Sequence, residues 1–97
     1  MTADELARAI ATGQPPRILD VRSSAEFAAG HVPGAIDIPF NEVGARAEEI
    51  PGAHDTLLVV YCGHGPRAWI AARMLRARGF QRIEYLKGHW AHWHKRH

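Results

Sequence analysis

The sequence contains a single cysteine, Cys62, which excludes an intrachain disulfide and a second thiol that could resolve an oxidised one. It also lacks a long apolar run, and acidic residues near its start argue against a signal peptide. We therefore expect a cytoplasmic protein with no membrane partner. The formal net charge is only +2 with seven neutral histidines, which is too slight and too scattered to indicate a nucleic-acid partner.

Length and composition indicate one globular domain over residues 1–97. The chain is 46% hydrophobic and 23% charged, as in ordinary globular proteins. Thr-x-x-Glu at residues 2–5 and Ser-x-x-Glu at residues 23–26 are capping boxes, which predict two helix starts. A polar helix is predicted over residues 41–50. Apolar runs predict strands over residues 17–21, 35–38, 57–61 and 82–86. The alternation of strands and helices along the chain predicts an α/β fold, with a doubly wound parallel sheet and helices on both of its faces.

The chemistry is predicted to lie in the loop that joins the strand at 57–61 to a helix at about 68–78. Glycines let backbone N–H groups turn inward, and a proline suits the first turn of a helix. Such a cup of N–H groups at a helix N-terminus is a natural anion site. A cysteine at its edge is activated, because its pKa falls to about 3.5–7.5 in such surroundings. The predicted loop consists of Cys62, Gly63, His64, Gly65, Pro66 and Arg67.

Each of these residues also has a structural interpretation. Cys62 could be a small buried apolar residue, but the Gly-His-Gly-Pro-Arg that follows it favours a nucleophile. Arg67 could pair on its own helix, and we expect it instead to close the cup, through loop carbonyls or through its charge. Histidines 89, 92, 94 and 97 invite a metal interpretation, but a terminal helix lacks fixed supporting groups, and we expect no metal.

Four segments match motifs of one known family. They are Leu19-Asp20-Val21-Arg22, Phe27-x-x-x-His31-Val32-Pro33-Gly34-Ala35, Cys62-x-x-Gly65-x-Arg67 and Gly88-His89-Trp90-x-x-Trp93. Over nearly its whole length the chain resembles a single-domain rhodanese, or thiosulfate sulfurtransferase-like, protein. The tail departs from the family's Gly-Gly-Trp ending, because His89 replaces the second glycine.

The resemblance implies a sulfurtransferase. A persulfide on Cys62 would carry sulfane sulfur from an anionic donor such as thiosulfate to a thiol or to cyanide, with no cofactor. It implies that Arg22, His64 and Arg67 bind the substrate. We expect Asp20 to be structural, because its side chain can hold loops through hydrogen bonds to the backbone. The resemblance also implies four to five strands, and we expect four, because Met1 leads almost directly into the first helix. Charged Arg82 and Glu84 on the last strand favour a monomer.

Two other functions remain open at this point. One is a persulfide carrier that hands sulfur to a protein sulfur acceptor, or a rhodanese-like binding module that serves a protein partner. Inactive modules usually lose the cysteine, whereas a carrier would keep Cys62. Phosphatases and arsenate reductases share the Cys-to-Arg anion loop, but they have five residues between the cysteine and the arginine. Only four separate Cys62 from Arg67, so this loop suits a single sulfur atom.

Overall fold

The computed structural model describes all 97 residues and contains one sheet of four parallel strands. The order of the strands is β2-β1-β3-β4, and β1 pairs with both β2 and β3. The four strands expected from the sequence are thus confirmed, as is the α/β class. The strands are β1 (Arg17–Asp20), β2 (Ile36–Asp37), β3 (Leu58–Tyr61) and β4 (Ile83–Tyr85).

Five α-helices surround the sheet. Both predicted capping boxes form, with Thr2 and Ser23 each accepting the backbone N–H of the glutamate three residues later. None of the five combines the length and the apolar character that a bilayer crossing requires. The helices are α1 (Ala3–Ala11), α2 (Ser24–Ala29), α3 (Val43–Arg46), α4 (Pro66–Ala77) and α5 (His89–Arg96).

The predicted helix over residues 41–50 is wrong in form. The segment contains one α-helical turn, α3, between two 3₁₀ turns, Phe40–Glu42 and Ala47–Glu49. Pro39 and Pro51 bound it and Gly44 lies inside it, so a regular helix has little room to propagate. Nor is the segment wholly polar, because three of its apolar side chains are buried. They are Val43, Ala47 and Ile50.

The alternation of β3 divides the core between the two faces of the sheet. Leu58, Val60 and Cys62 point to the face covered by α3 and α4, whereas Val59 and Tyr61 point to the face covered by α1 and α5. Two separate apolar clusters result, one on each face. All four β3 residues are fully buried, which explains its continuous apolar sequence.

The sheet places the two predicted site segments side by side. In the pairing of β1 with β3, Asp20 lies opposite Tyr61, and the N–H of Val21 donates to the carbonyl of Tyr61 at 3.0 Å. The residues that follow these strands therefore meet at one edge of the sheet. The chain turns from β2 on one side of β1 to β3 on the other, and such reversals are where open α/β sheets bind ligands.

The outer edge of β4 is covered at its carboxyl end by the start of the chain. The amino group of Met1 donates to the carbonyl of Tyr85 at 3.0 Å, and the N–H of Lys87 donates to the carbonyl of Met1 at 2.9 Å. The Met1 amino group also pairs with Glu84. These contacts and the exposed charges of Arg82 and Glu84 are consistent with a monomer, which stays a prediction.

Candidate active site

The loop between β3 and α4 depends on two glycines. Gly65 precedes Pro66, the first residue of α4, and has a φ of +136°, which favours glycine. A Cβ at Gly65 would lie 3.1 Å from the Trp69 ring, and a Cβ at Gly63 would lie 3.1 Å from Nη2 of Arg67. The glycines therefore serve close packing as well as backbone conformation.

Cys62 lies at the base of this loop with its side chain fully buried. The N–H of Gly65 donates to its Sγ atom at 2.9 Å, so a backbone donor faces the sulfur. Burial raises the pKa of the thiol, but the adjacent His89 ring and the backbone N–H groups of Ala68, Gly65 and His64 outweigh burial and lower the pKa to about 7. The loop therefore favours the thiolate form of Cys62 more than water does for a free cysteine.

Arg67 lies over the loop but pairs with a different element from the one we expected. Its Nη1 and Nη2 atoms donate to the two carboxylate oxygens of Glu26 on α2, at 2.7 and 3.1 Å, and it makes no hydrogen bond to a loop carbonyl. The hydrogen bond from Arg67 holds the pKa of Glu26 at about 2. Arg67 thus places a fixed positive charge beside Gly63, and a contact with substrate stays a proposal.

Arg22 is buried rather than open to the donor. It is 3% exposed, and its Nε and Nη2 atoms donate hydrogen bonds of 2.7–3.1 Å to the fully buried carboxylate of Asp20. Nη2 also donates to the carbonyl of Gly30 at 2.7 Å, and the guanidinium lies 4.5 Å from the centroid of the Trp90 ring. These contacts favour a structural role over the expected donor contact, because the guanidinium is already engaged.

Asp20 has the structural role that we expected. Its Oδ1 atom accepts the backbone N–H of Arg22 at 2.9 Å in addition to the side chain of that residue. A carboxylate buried without such partners would be costly. The ion pair therefore fixes the turn that follows β1.

His64 and Pro66 occupy the outer side of the loop. Both residues are exposed, and the His64 side chain forms no hydrogen bond within the chain. The neighbouring Trp69 is 55% exposed and lies against Gly65. An incoming substrate would therefore meet His64 and Trp69 first, which keeps His64 as a proposed substrate contact.

The contact of His89 with Cys62 was not predicted from the sequence. His89 begins α5, is 7% exposed, and its Nδ1 atom accepts the backbone N–H of Cys62 at 3.2 Å. The sequence does show a histidine where the family motif has glycine. It does not show that the fold brings this histidine to Cys62. The other tail histidines do not join it, and the chain contains no group of three residues arranged to hold a metal ion.

The start of α5 also forms hydrogen bonds with two carbonyl groups of the loop. The N–H of Trp90 donates to the carbonyl of Cys62 at 2.9 Å, and the N–H of Ala91 donates to the carbonyl of Gly63 at 3.2 Å. These two carbonyls therefore face α5. N–H groups of the loop, and not these carbonyls, therefore face the sulfur of Cys62.

The fold and the loop define an α/β domain whose lone cysteine lies between a buried parallel strand and the start of a helix. Comparison with known families is in agreement: the model described as Rhodanese-like domain matches residues 2–96. The chain belongs to the rhodanese-like domain family.

Similar proteins support sulfurtransferase activity in general. A sulfurtransferase of Allochromatium vinosum is 31% identical over 86 residues, which cover 89% of this chain and 78% of that protein. The human thiosulfate:glutathione sulfurtransferase is 32% identical over 101 residues, covering 92% of this chain and 87% of that protein. The structure of a human single-domain sulfurtransferase has a TM-score of 0.83 at 28% identity and covers 100% of this chain and 96% of that one.

Replacing Arg22 tests its structural role. We expect Arg22→Ala to lower the free energy of unfolding by about 3–5 kcal/mol, because it leaves the Asp20 carboxylate buried without its partner. Urea denaturation measures the loss. The matched control is Arg46→Ala, which breaks exposed ion pairs with Glu42 and Glu49 and should cost about 0–1 kcal/mol. Unchanged stability with a raised KM for thiosulfate would instead assign Arg22 to the donor.

The titration of Cys62 tests the loop electrostatics. The ultraviolet absorbance of the thiolate, measured against Cys62→Ser, should change with a midpoint at about pH 7. Because this folded-state pKa lies below the value of about 8.5 for a free cysteine, folding favours the thiolate. The stability that it contributes is complete above about pH 8.5 and is lost as the pH falls through 7.

The wild type and Cys62→Ser also test the predicted link between the ionisation of Cys62 and folding stability. The stability of the wild type relative to Cys62→Ser should decrease from pH 9 to pH 6. A thiolate midpoint at or above that of a free cysteine would contradict the proposed electrostatics.

Proposed function

We propose that this protein transfers sulfane sulfur from an anionic donor such as thiosulfate to a thiol or to cyanide, through a persulfide on Cys62. The observation that carries the proposal is the position of the Cys62 sulfur, with the N–H of Gly65 at 2.9 Å and a pKa of about 7. A thiolate able to attack and a donor aimed at the sulfur are the two requirements of persulfide chemistry.

In the first step, the Cys62 thiolate attacks the outer sulfur of thiosulfate. The new bond joins Sγ to that sulfur, the old sulfur–sulfur bond breaks, and sulfite leaves with its electron pair. Cys62 is left as a persulfide whose outer sulfur carries the negative charge. Inward N–H groups of the loop stabilise that charge as they do the thiolate.

In the second step, an acceptor removes the outer sulfur. A thiolate or cyanide attacks it, the bond to Sγ breaks, and Cys62 recovers its thiolate. The loop contains no second thiol that could compete with the acceptor, because Cys62 is the only cysteine. Human thiosulfate:glutathione sulfurtransferase, a relative of the chain, bears a name that specifies this donor and a thiol acceptor, which supports the proposal.

Substrate contacts are proposed for the residues around the loop opening. His64 lies at the exposed side, and Arg67 places a positive charge beside Gly63, where an anionic donor would be attracted. The four residues between Cys62 and Arg67 leave a smaller loop than the five of phosphatases. A single sulfur atom is therefore the proposed occupant, rather than a tetrahedral oxyanion.

A specific surface favours a second candidate function, a persulfide carrier for a protein acceptor. The exposed large apolar residues Trp69, Ile70 and Met74 are 55%, 49% and 43% exposed, and all lie on α4 directly after the loop. α4 contains arginines but no acidic residue, so the surface is apolar and positively charged. An acidic protein with apolar side chains at its thiol would suit this surface.

A double substitution separates the carrier from the small-thiol enzyme. If α4 receives a protein acceptor, Ile70→Ser with Met74→Ser should slow transfer to a protein thiol about tenfold, because apolar contacts worth about 1.4 kcal/mol are lost. Transfer to glutathione should be unchanged. Rapid-mixing assays with both acceptors measure this difference, and equal rates for wild type and variant with both acceptors would favour the enzyme.

The persulfide itself is the central test. After treatment with thiosulfate, the intact mass should increase by one sulfur, about 32 Da, and cyanide should remove that increase because it accepts the outer sulfur. Cys62→Ser should show neither change while melting at a similar temperature. An adduct that survives cyanide, or one that forms on Cys62→Ser, would contradict the sulfurtransferase. Turnover of an aryl phosphate by the wild type would instead favour a phosphatase.

A further inference from the structure

His89 occupies a backbone conformation that is uncommon for residues other than glycine. Its φ is +53°, and no other residue apart from glycine has a positive φ in this chain. The imidazole is nonetheless 7% exposed and lies against the loop of Cys62. A glycine would avoid the backbone strain, so the buried ring must be explained by what it contacts.

The hydrogen bond to Cys62 determines which ring nitrogen carries the proton. The backbone N–H of Cys62 donates to Nδ1 at 3.2 Å, so Nδ1 must offer its lone pair. A neutral imidazole that accepts at Nδ1 carries its hydrogen on Nε2. His89 is therefore a donor at Nε2.

The Nε2 atom of the ring lies close to Gly65, the residue whose backbone N–H binds the sulfur. A Cβ at Gly65 would lie 3.5 Å from Nε2, and the N–H of the same glycine donates to Sγ of Cys62. The ring therefore lies between the backbone of Cys62 and the Gly65 side of the cup. The lowering of the Cys62 pKa by the His89 ring agrees with this placement.

We propose that His89 helps the loop N–H groups to hold the reactive sulfur in two ways. Its Nδ1 atom accepts the backbone N–H of Cys62 and fixes that backbone, and its Nε2–H donates to the sulfur. The part that concerns the persulfide rests on the proposed function, whereas the part that concerns the thiolate does not. His89 acts as a donor and not as a base. Its Nδ1 lone pair is occupied by Cys62 and its Nε2 is protonated, so it cannot take the thiol proton without breaking the backbone bond.

Two substitutions test the donor role, one with the anchor to Cys62 kept and one with it lost. His89→Asn places an amide oxygen where Nδ1 lies, tolerates positive φ, and removes the group at the Nε2 position. His89→Gly removes both functions and relieves the backbone strain. His92→Ala, an exposed histidine on the same helix, is the control. Because loss of one hydrogen bond to a charged group changes an equilibrium about tenfold, both His89 variants should raise the Cys62 pKa by about one unit.

Thiolate absorbance measures that pKa without any sulfur donor, and nitrogen NMR of the ring identifies its tautomer. We expect the Nε2-protonated form in the wild type, an unchanged Cys62 pKa in His92→Ala, and a raised one in His89→Asn at an unchanged melting temperature. An Nδ1-protonated ring, or a wild-type Cys62 pKa in His89→Asn, would overturn the proposal. Neither readout uses thiosulfate, so failure here is distinct from failure to form the persulfide.

Discussion

The structure depends most on the contact between the start of α5 and the loop after β3. The backbone N–H groups of Trp90 and Ala91 donate to the carbonyls of Cys62 and Gly63, and the His89 ring accepts the N–H of Cys62. A short glycine-rich loop has many conformations, and unsatisfied carbonyls would be free to turn toward the sulfur. With these carbonyls held by α5, the N–H of Gly65 faces the sulfur of Cys62. The helix α5 therefore fixes which backbone groups of the loop surround the sulfur.

The buried ion pair of Asp20 and Arg22 holds that helix in place. The guanidinium reaches from the end of β1 to the carbonyl of Gly30 and lies against the Trp90 ring. A Cβ at Gly30 would lie 3.2 Å from the same ring. Segments far apart in the sequence thus meet around one indole. The motifs that identify the family are the parts of this arrangement, although only Cys62 among them is proposed to react.

The features that could be predicted from sequence are those with local causes. Capping boxes at Thr2 and Ser23, apolar runs and the glycines around Cys62 act over a few residues, so the helix starts, the four strands and the loop could be read directly. The partners of Arg67 and His89 could not, because the contacts join residues 41 and 27 positions apart. The burial of Arg22 was missed for a related reason. An arginine at a strand end is usually exposed, and only Asp20, Gly30 and the Trp90 ring together make its burial favourable.

Glu26 links two parts of the molecule through one carboxylate. Its Oε1 atom accepts the N–H of Ser23 at the start of α2 and also accepts Nη1 of Arg67 at the start of α4. The two helix starts therefore share an acceptor, and their local opening equilibria are coupled. A ligand that draws Arg67 toward the cup withdraws a partner from the carboxylate that caps α2. Occupancy of the site would then be reported at a distance, as a change in how fast the amide hydrogens of α2 exchange with solvent.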